Sequence, residues 1–256
     1  MYQPLPLEGY EFAGQYYPWP GLDHLQSHRS AGRIAIVGLS QAGKKTLVNI
    51  LWGWRALNGM ANMLDAAQHA NDLDQLRGYE GRAAAFYFEG LRALIPPEWG
   101  FEQRAYYPPP DPANALLSFT YTLLRKDVEA KIQLVGLDPY LGFFHALGYN
   151  RPALALDMME EFRPSVADLV VLALINQNHI TPDDFEWTNN PDLPVRMSQP
   201  AIQTVLAAYE DRLADEVYHP LTNGQTDYRR VIELQVRTMA RIIRGEESDY
   251  PPVSFR

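Results

Sequence analysis

GLDPYLGFFHALGYNRPALALDMMEEFRP, residues 136–164, joins a glycine-bearing loop to an apolar run that carries three acids. Gly142, Gly148 and Pro152 break the first part, and His145 sits among them. The run after Pro152 has the alanine, leucine and methionine content of a helix, and Asp157 and Glu160 lie three positions apart on it. On a helix that spacing puts both carboxylates on one face. The loop lets His145 fold back toward them. An imidazole and two carboxylates make a hard nitrogen and oxygen donor set, which suits Mg²⁺ or Mn²⁺ better than zinc in a closed cysteine cage. The segment reads as an active-site stretch in a mostly α protein.

Working upstream, Asp111–Pro112 is a helix-start signal, and the mostly apolar ANALLSFTYTLL after it predicts a buried helix on which Asn114 makes a structural or site-supporting hydrogen bond. Before it, Pro96–Pro97 and Pro108–Pro110 frame a loop bearing Trp99, Phe101, Tyr106 and Tyr107. With Arg104, these aromatics either stack on splayed bases or pack against the helices. Residues 61–94 are alanine-rich and helical, with RGYEG at 77–81; the glycines flanking Glu80 leave room for a phosphate or another chain. On its residues alone, Glu80 is an ordinary solvated carboxylate. GLSQAGKKT, residues 38–46, has the G-x-x-x-x-GK spacing of a phosphate-binding loop. However, Lys45 stands where that loop needs a hydroxyl, and Thr46 is one residue late. An amphipathic helix through Leu47, Ile50, Leu51 and Trp54 is the better reading.

Downstream, Val166, Leu169, Val170, Ala173 and Leu174 form one apolar helical stripe, which Pro164 either starts or kinks. Residues 176–200 read as loop, and Ile202, Val205, Leu206, Tyr209 and Leu213 as another amphipathic helix. On a last helix from about Asp227 to Arg244, Arg230, Arg237, Arg241 and Arg244 fall in a sector of roughly 60°. That stripe is either a solvated face or a track for a DNA backbone.

The chain has 256 residues, no cysteine and a net charge of −9. This length can bury a substantial core as one large domain or two small ones. Without cysteine, disulfides, thiolate metal sites and cysteine nucleophiles are excluded, which fits a reducing cytoplasm. No run is long and apolar enough to span a membrane, and MYQPLPLEGYEF has no signal-peptide pattern. The acidic balance argues against nonspecific nucleic-acid binding but leaves a local basic track possible.

GLDPYLGFFH followed by LALDMMEEFRP resembles the central motif of the Cas-one (Cas1) family, the CRISPR-associated integrase and endonuclease of spacer acquisition. DQLRGYEGRAAAFYF, PPPDPANALLSFTYTLL and DYRRVIELQVRTMARIIRGE resemble further blocks of that family, so the resemblance covers roughly residues 35 to 256. It implies a helical catalytic domain at 33–256, preceded at 1–32 by an irregular segment or a remnant of the family's N-terminal β-domain. It also implies that Glu80, His145 and Glu160 bind the metal, with Asp157 beside them as a further catalytic residue. Some relatives carry aspartate at the position of Glu160. Glu160 is preferred to Glu161 because only Glu160 is three residues from Asp157.

The activity implied is metal-dependent. The 3′-hydroxyl of a short DNA fragment attacks a strand of the CRISPR repeat, and water in its place gives cleavage. The partners implied are double-stranded DNA, a second copy of the chain and the small Cas-two (Cas2) protein. His145 would bind as neutral imidazole, so metal affinity should weaken below about pH 6.5. The rivals are a noncatalytic DNA- or protein-binding subunit derived from the family, and a P-loop nucleotide-binding protein.

Overall fold

The computed structural model describes residues 9–12, 15–18 and 43–253, apart from 147, 220, 221, 223 and 252; for 9–18 and 43–52 it describes backbone alone. Seven α-helices dominate them: α1 Gly43–Ala67, α2 Leu73–Leu94, α3 Pro112–Val135, α4 Ala153–Met159, α5 Leu169–Asn176, α6 Gln199–Ala214 and α7 Tyr228–Ile243. Three two-stranded antiparallel ribbons accompany them: β1 Gly9–Phe12 with β2 Gln15–Pro18, β3 Phe185–Trp187 with β4 Val195–Met197, and β5 Glu216–His219 with β6 Gly224–Asp227. The fold is mostly α, as the sequence implies.

Helix boundaries follow local chemistry. Asp72, Asp111 and Asp227 each accept a backbone N–H from three residues on and so cap α2, α3 and α7. Pro112 stands at the first position of α3, where its missing N–H leaves no gap in the ladder. The alanine-rich stretch 61–94 divides at a turn between Ala67 and Leu73, and α1 and α2 pack back on each other as a helical hairpin.

Helix α3 is the axis of the core. Leu116, Leu117, Leu124, Val128 and Ile132 on it are fully buried, and α4, α5, α7 and β4 pack around it. Helix α5 buries Val170, Val171, Leu172, Leu174 and Ile175, so the expected stripe runs round the whole helix. Pro164 is the second residue of a π-helical turn, Arg163–Asp168, that runs directly into α5, so it stands at the start of that helical stretch.

One expectation needs correction. Residues 176–200 hold a ribbon as well as loop, and a second ribbon precedes α7. Strands of three or four residues are too short for apolar alternation to show; in β3 and β4 only Phe185 and Val195 are buried. Of the GLSQAGKKT stretch, residues 38–42 lie outside the described residues, and Gly43 and Lys44 open α1. The side chains of Leu47, Ile50 and Leu51 lie outside them too, as does residues 1–32 apart from the β1–β2 ribbon. No helix among the described residues is long and apolar enough to cross a membrane.

Candidate active site

The loop that carries His145 is held by one carboxylate. Asp157, in the last turn of α4, accepts the backbone N–H of Phe143 (2.7 Å) and Phe144 (3.0 Å) through Oδ2, and that of His145 (2.8 Å) through Oδ1. Its Oδ1 also meets His145 Nδ1 at 2.6 Å. Burial would raise the Asp157 carboxyl, but the His145 ring and the three amides outweigh it and hold the group below the usual carboxylate range. An ionised carboxylate can only accept, so Nδ1 carries a proton, and in the neutral ring the lone pair is then on Nε2. Close approach of loop and helix depends on Gly142. A Cβ there would lie 2.7 Å from the Ala153 carbonyl carbon and from Asp157 Oδ2.

Arg77, on α2 and one turn before Glu80, grips the same loop from the other side. Its Nε and Nη2 donate to the Phe144 carbonyl at 3.0 and 2.7 Å, and its guanidinium lies 5.9 Å from the Phe144 ring. Helix α2 therefore supplies both Glu80 and a clamp on the loop bearing His145.

Glu160 directly follows α4. Both of its oxygens accept from Arg163 Nη1 at 2.7 Å, and the Arg163 side chain is only 14% exposed. The guanidinium lies 4.5 Å from the Tyr121 ring and 5.9 Å from the Phe88 ring. Nearby, the buried Asp168 accepts the hydroxyls of Tyr121, at 2.5 Å, and Tyr87. Burial pushes the Asp168 carboxyl up, while the two hydroxyls and the charge on Arg163 oppose that push. Burial alone would lower Arg163, but Tyr121, Glu160 and Asp168 more than reverse it, so the guanidinium stays charged.

Glu80, His145 and Glu160 come from three separate segments and line one cavity of about 670 Å³. The same wall holds five arginines: Arg77, Arg104, Arg125, Arg151 and Arg163. Partial burial there raises the Glu80 carboxyl and the charge on Glu160 raises it further, against smaller opposing effects of His145 and Arg163. A carboxylate whose charge is disfavoured by a second one across a shared cavity, beside an imidazole bound to Asp157 through Nδ1, fits a hard divalent cation. Among the described residues, no group of three His, Asp or Glu side chains is already gathered around an ion-sized space. Glu160 is engaged by Arg163 instead.

The remaining candidates sit elsewhere. Asp157 does not line the cavity; its oxygens face the 143–145 backbone, so it orients His145 from behind. Glu161 points away and accepts from Gln235 Nε2, the Tyr250 hydroxyl and the Val253 N–H. The arginines of α7 lie outside the cavity and each is paired: Arg230 and Arg237 with Glu233, Arg241 with Glu247 and Arg244 with Glu246. In the proline-framed loop, Trp99 and Phe101 are buried whereas Tyr106 and Tyr107 are 64% and 77% exposed. Arg104 stacks 4.6 Å from the Tyr106 ring and donates to Asn114 Oδ1 at 2.8 Å. The fully buried Asn114 also donates to the Gln103 carbonyl and to Asp111, which is the site-supporting bond expected of it.

Sequence reasoning passed over Arg77, Arg163 and Asp168. The first two carried a signal: each lies three residues from a candidate ligand, Arg77 on the same helix as Glu80 and Arg163 one turn of chain beyond Glu160. Asp168 carried none, since its partners are 47 and 81 residues away.

A family model described as CRISPR associated protein Cas1 matches residues 53–211. The CRISPR-associated endonuclease Cas1 3 of Thermus thermophilus is 42% identical over 204 residues, 80% of this chain and 60% of that protein. The CRISPR-associated endonuclease Cas1 of Leptospira interrogans is 36% identical over 204 residues, 78% of this chain and 79% of that protein. The chain thus spans about three fifths of the Thermus relative's length and more of the Leptospira one. Among solved structures, a Cas1 protein from Thermotoga maritima aligns with a TM-score of 0.65 at 25% identity, over 81% of this chain and 68% of that one. A casposase bound to its integration product shares the fold, with a TM-score of 0.69 at 21% identity over 81% of this chain and 62% of that one.

Proposed function

Because the chain belongs to the Cas1 family, we propose that it is a metal-dependent DNA endonuclease and integrase of CRISPR adaptation. It inserts short DNA fragments into the repeat array, acting as a homodimer with a Cas2 partner on double-stranded DNA. The observation that carries this reading is the meeting of Glu80, His145 and Glu160 at one arginine-rich cavity. The naming of its relatives as CRISPR-associated endonucleases supports it.

Glu80, His145 through Nε2 and Glu160 are the residues that would hold Mg²⁺ or Mn²⁺. Such an ion, when bound, supplies polarisation of the phosphodiester, a lowered pKa for the attacking hydroxyl and charge neutralisation at the transition state. The rest falls to the chain's own groups. Asp157 fixes the His145 ring, so a single nitrogen faces the cavity. Arg77 holds the loop against α2, keeping His145 and Glu80 in register. Arg151 lines the cavity wall and is suited to orient a DNA phosphate. The attacking oxygen forms the new P–O bond as the old one breaks, with no covalent enzyme intermediate.

The test is Mn²⁺-dependent strand transfer of a short duplex into a repeat-containing DNA, comparing the unmutated chain with Glu80→Ala, His145→Ala and Glu160→Ala. Loss of product in all three supports the assignment. Equal activity in all four would remove it.

A further inference from the structure

One of the three proposed ligands is already occupied by a cation of the chain itself. A single nitrogen, Arg163 Nη1, sits 2.7 Å from both Glu160 oxygens and fills the bite that a chelated ion would use. Among the described residues Glu80 has no such partner, and His145, which also lines the cavity, meets Asp157 through Nδ1. We propose that Arg163 is a positioning residue that stands in for the divalent ion on Glu160 and is exchanged for it when the ion binds.

The surroundings of the guanidinium make the exchange feasible. The rings of Tyr121 and Phe88 confine it, and its side chain is 14% exposed, so it cannot swing freely into water. Its charge is favoured both by Glu160 at the cavity and by the buried Asp168. Asp168 is itself anchored by the Tyr87 and Tyr121 hydroxyls. A guanidinium that gives up Glu160 therefore keeps a buried counter-charge, and its freed N–H groups face the cavity where a phosphate would lie. Ion binding and delivery of an anion-binding group to the cavity become one event. Until the exchange occurs, Glu160 stays oriented and Arg163 keeps ions weakly bound.

This inference rests on the metal-dependent reading and adds an unusual sign to it. A residue with a merely structural role would weaken ion binding when removed. Removing Arg163 should strengthen it, because the ion no longer competes with an internal cation. The experiment is Mn²⁺ titration of the full chain, followed by electron paramagnetic resonance of the free ion, for the unmutated chain, Arg163→Gln and Arg163→Lys. Arg163→Gln is expected to bind Mn²⁺ roughly tenfold more tightly, and Arg163→Lys to stay near the unmutated value.

Measurable binding that Arg163→Gln leaves unchanged or weakens overturns the exchange while leaving the metal-dependent reading intact. No binding by any of the three overturns both. Should Arg163→Gln fail to fold, phenylglyoxal labelling of the unmutated chain decides. Saturating Mg²⁺ should raise modification of Arg163 several-fold, with the Arg196 peptide, outside the cavity, as internal reference, and constant modification overturns the exchange.

Discussion

Replacing Asp157 by alanine should release the loop that carries His145. The carboxylate is 1% exposed and accepts four hydrogen bonds: from the amides of Phe143, Phe144 and His145, and from His145 Nδ1, at 2.6 to 3.0 Å. A bond to a charged acceptor contributes about 1.5–3 kcal/mol taken singly. The four share one carboxylate and do not add. Arg77 still grips the Phe144 carbonyl in the variant, and water can reach the half-exposed loop. A net loss of about 3–5 kcal/mol, as for removing one partner of a buried charged set, is the expected scale.

Local opening should reveal that loss more directly than global unfolding, because the loop can detach while the core stays folded. At 1.4 kcal/mol per tenfold, the amides of residues 143–145 should exchange with deuterium about 10²- to 4 × 10³-fold faster. Asp157→Asn retains one acceptor oxygen and should show a smaller increase, about tenfold or more. Exchange at these amides within threefold of the unmutated chain would refute the reasoning and make Arg77 alone the anchor.

The same carboxylate predicts a pH effect. Its folded pKa lies below the ordinary 3.8, so its stabilisation is present above about pH 4 and is lost as pH falls through the folded value; urea stabilities of the unmutated chain and Asp157→Asn should draw together as pH falls below about 4. Gly142→Ala drives a methyl to 2.7 Å from the backbone of Ala153. It should cost about 1–3 kcal/mol, seen as a melting point lowered by several degrees with strand transfer reduced in parallel. Arg151→Ala should weaken DNA binding and lower the salt slope by about one, whereas Arg244→Ala, whose guanidinium already meets Glu246, should change affinity less than twofold. Anisotropy over a salt series measures both. Tyr121→Phe removes the hydroxyl from buried Asp168 and should cost about 1.5–3 kcal/mol in urea unfolding.

Much of the site was legible in the linear chain. The GLDPYLGFFH and MEEFRP segments and the RGYEG block pointed to His145, Glu160 and Glu80, all of which line the cavity. Asp157 was picked out as well, but helical spacing alone placed it beside Glu160 on one face. α4 stops at Met159, so Glu160 stands beyond its last turn, and Asp157 faces the loop backbone instead. The basic stripe on α7 was visible as periodicity, yet periodicity says nothing of Glu233, Glu246 and Glu247, which pair with its arginines.

What the sequence determined by itself was local. Capping aspartates, Pro112 and the spacing of apolar residues act within a few positions of one another, so helices and their ends could be read directly. The family blocks likewise lay open to reading. The cavity and its electrostatics belong to tertiary structure alone. Arg77 meets Phe144 across 67 residues, and Asp168 meets Tyr87 across 81. Which face of each helix is turned inward, and so which charge finds a partner, is decided by packing around α3 rather than by any property of the neighbouring residues.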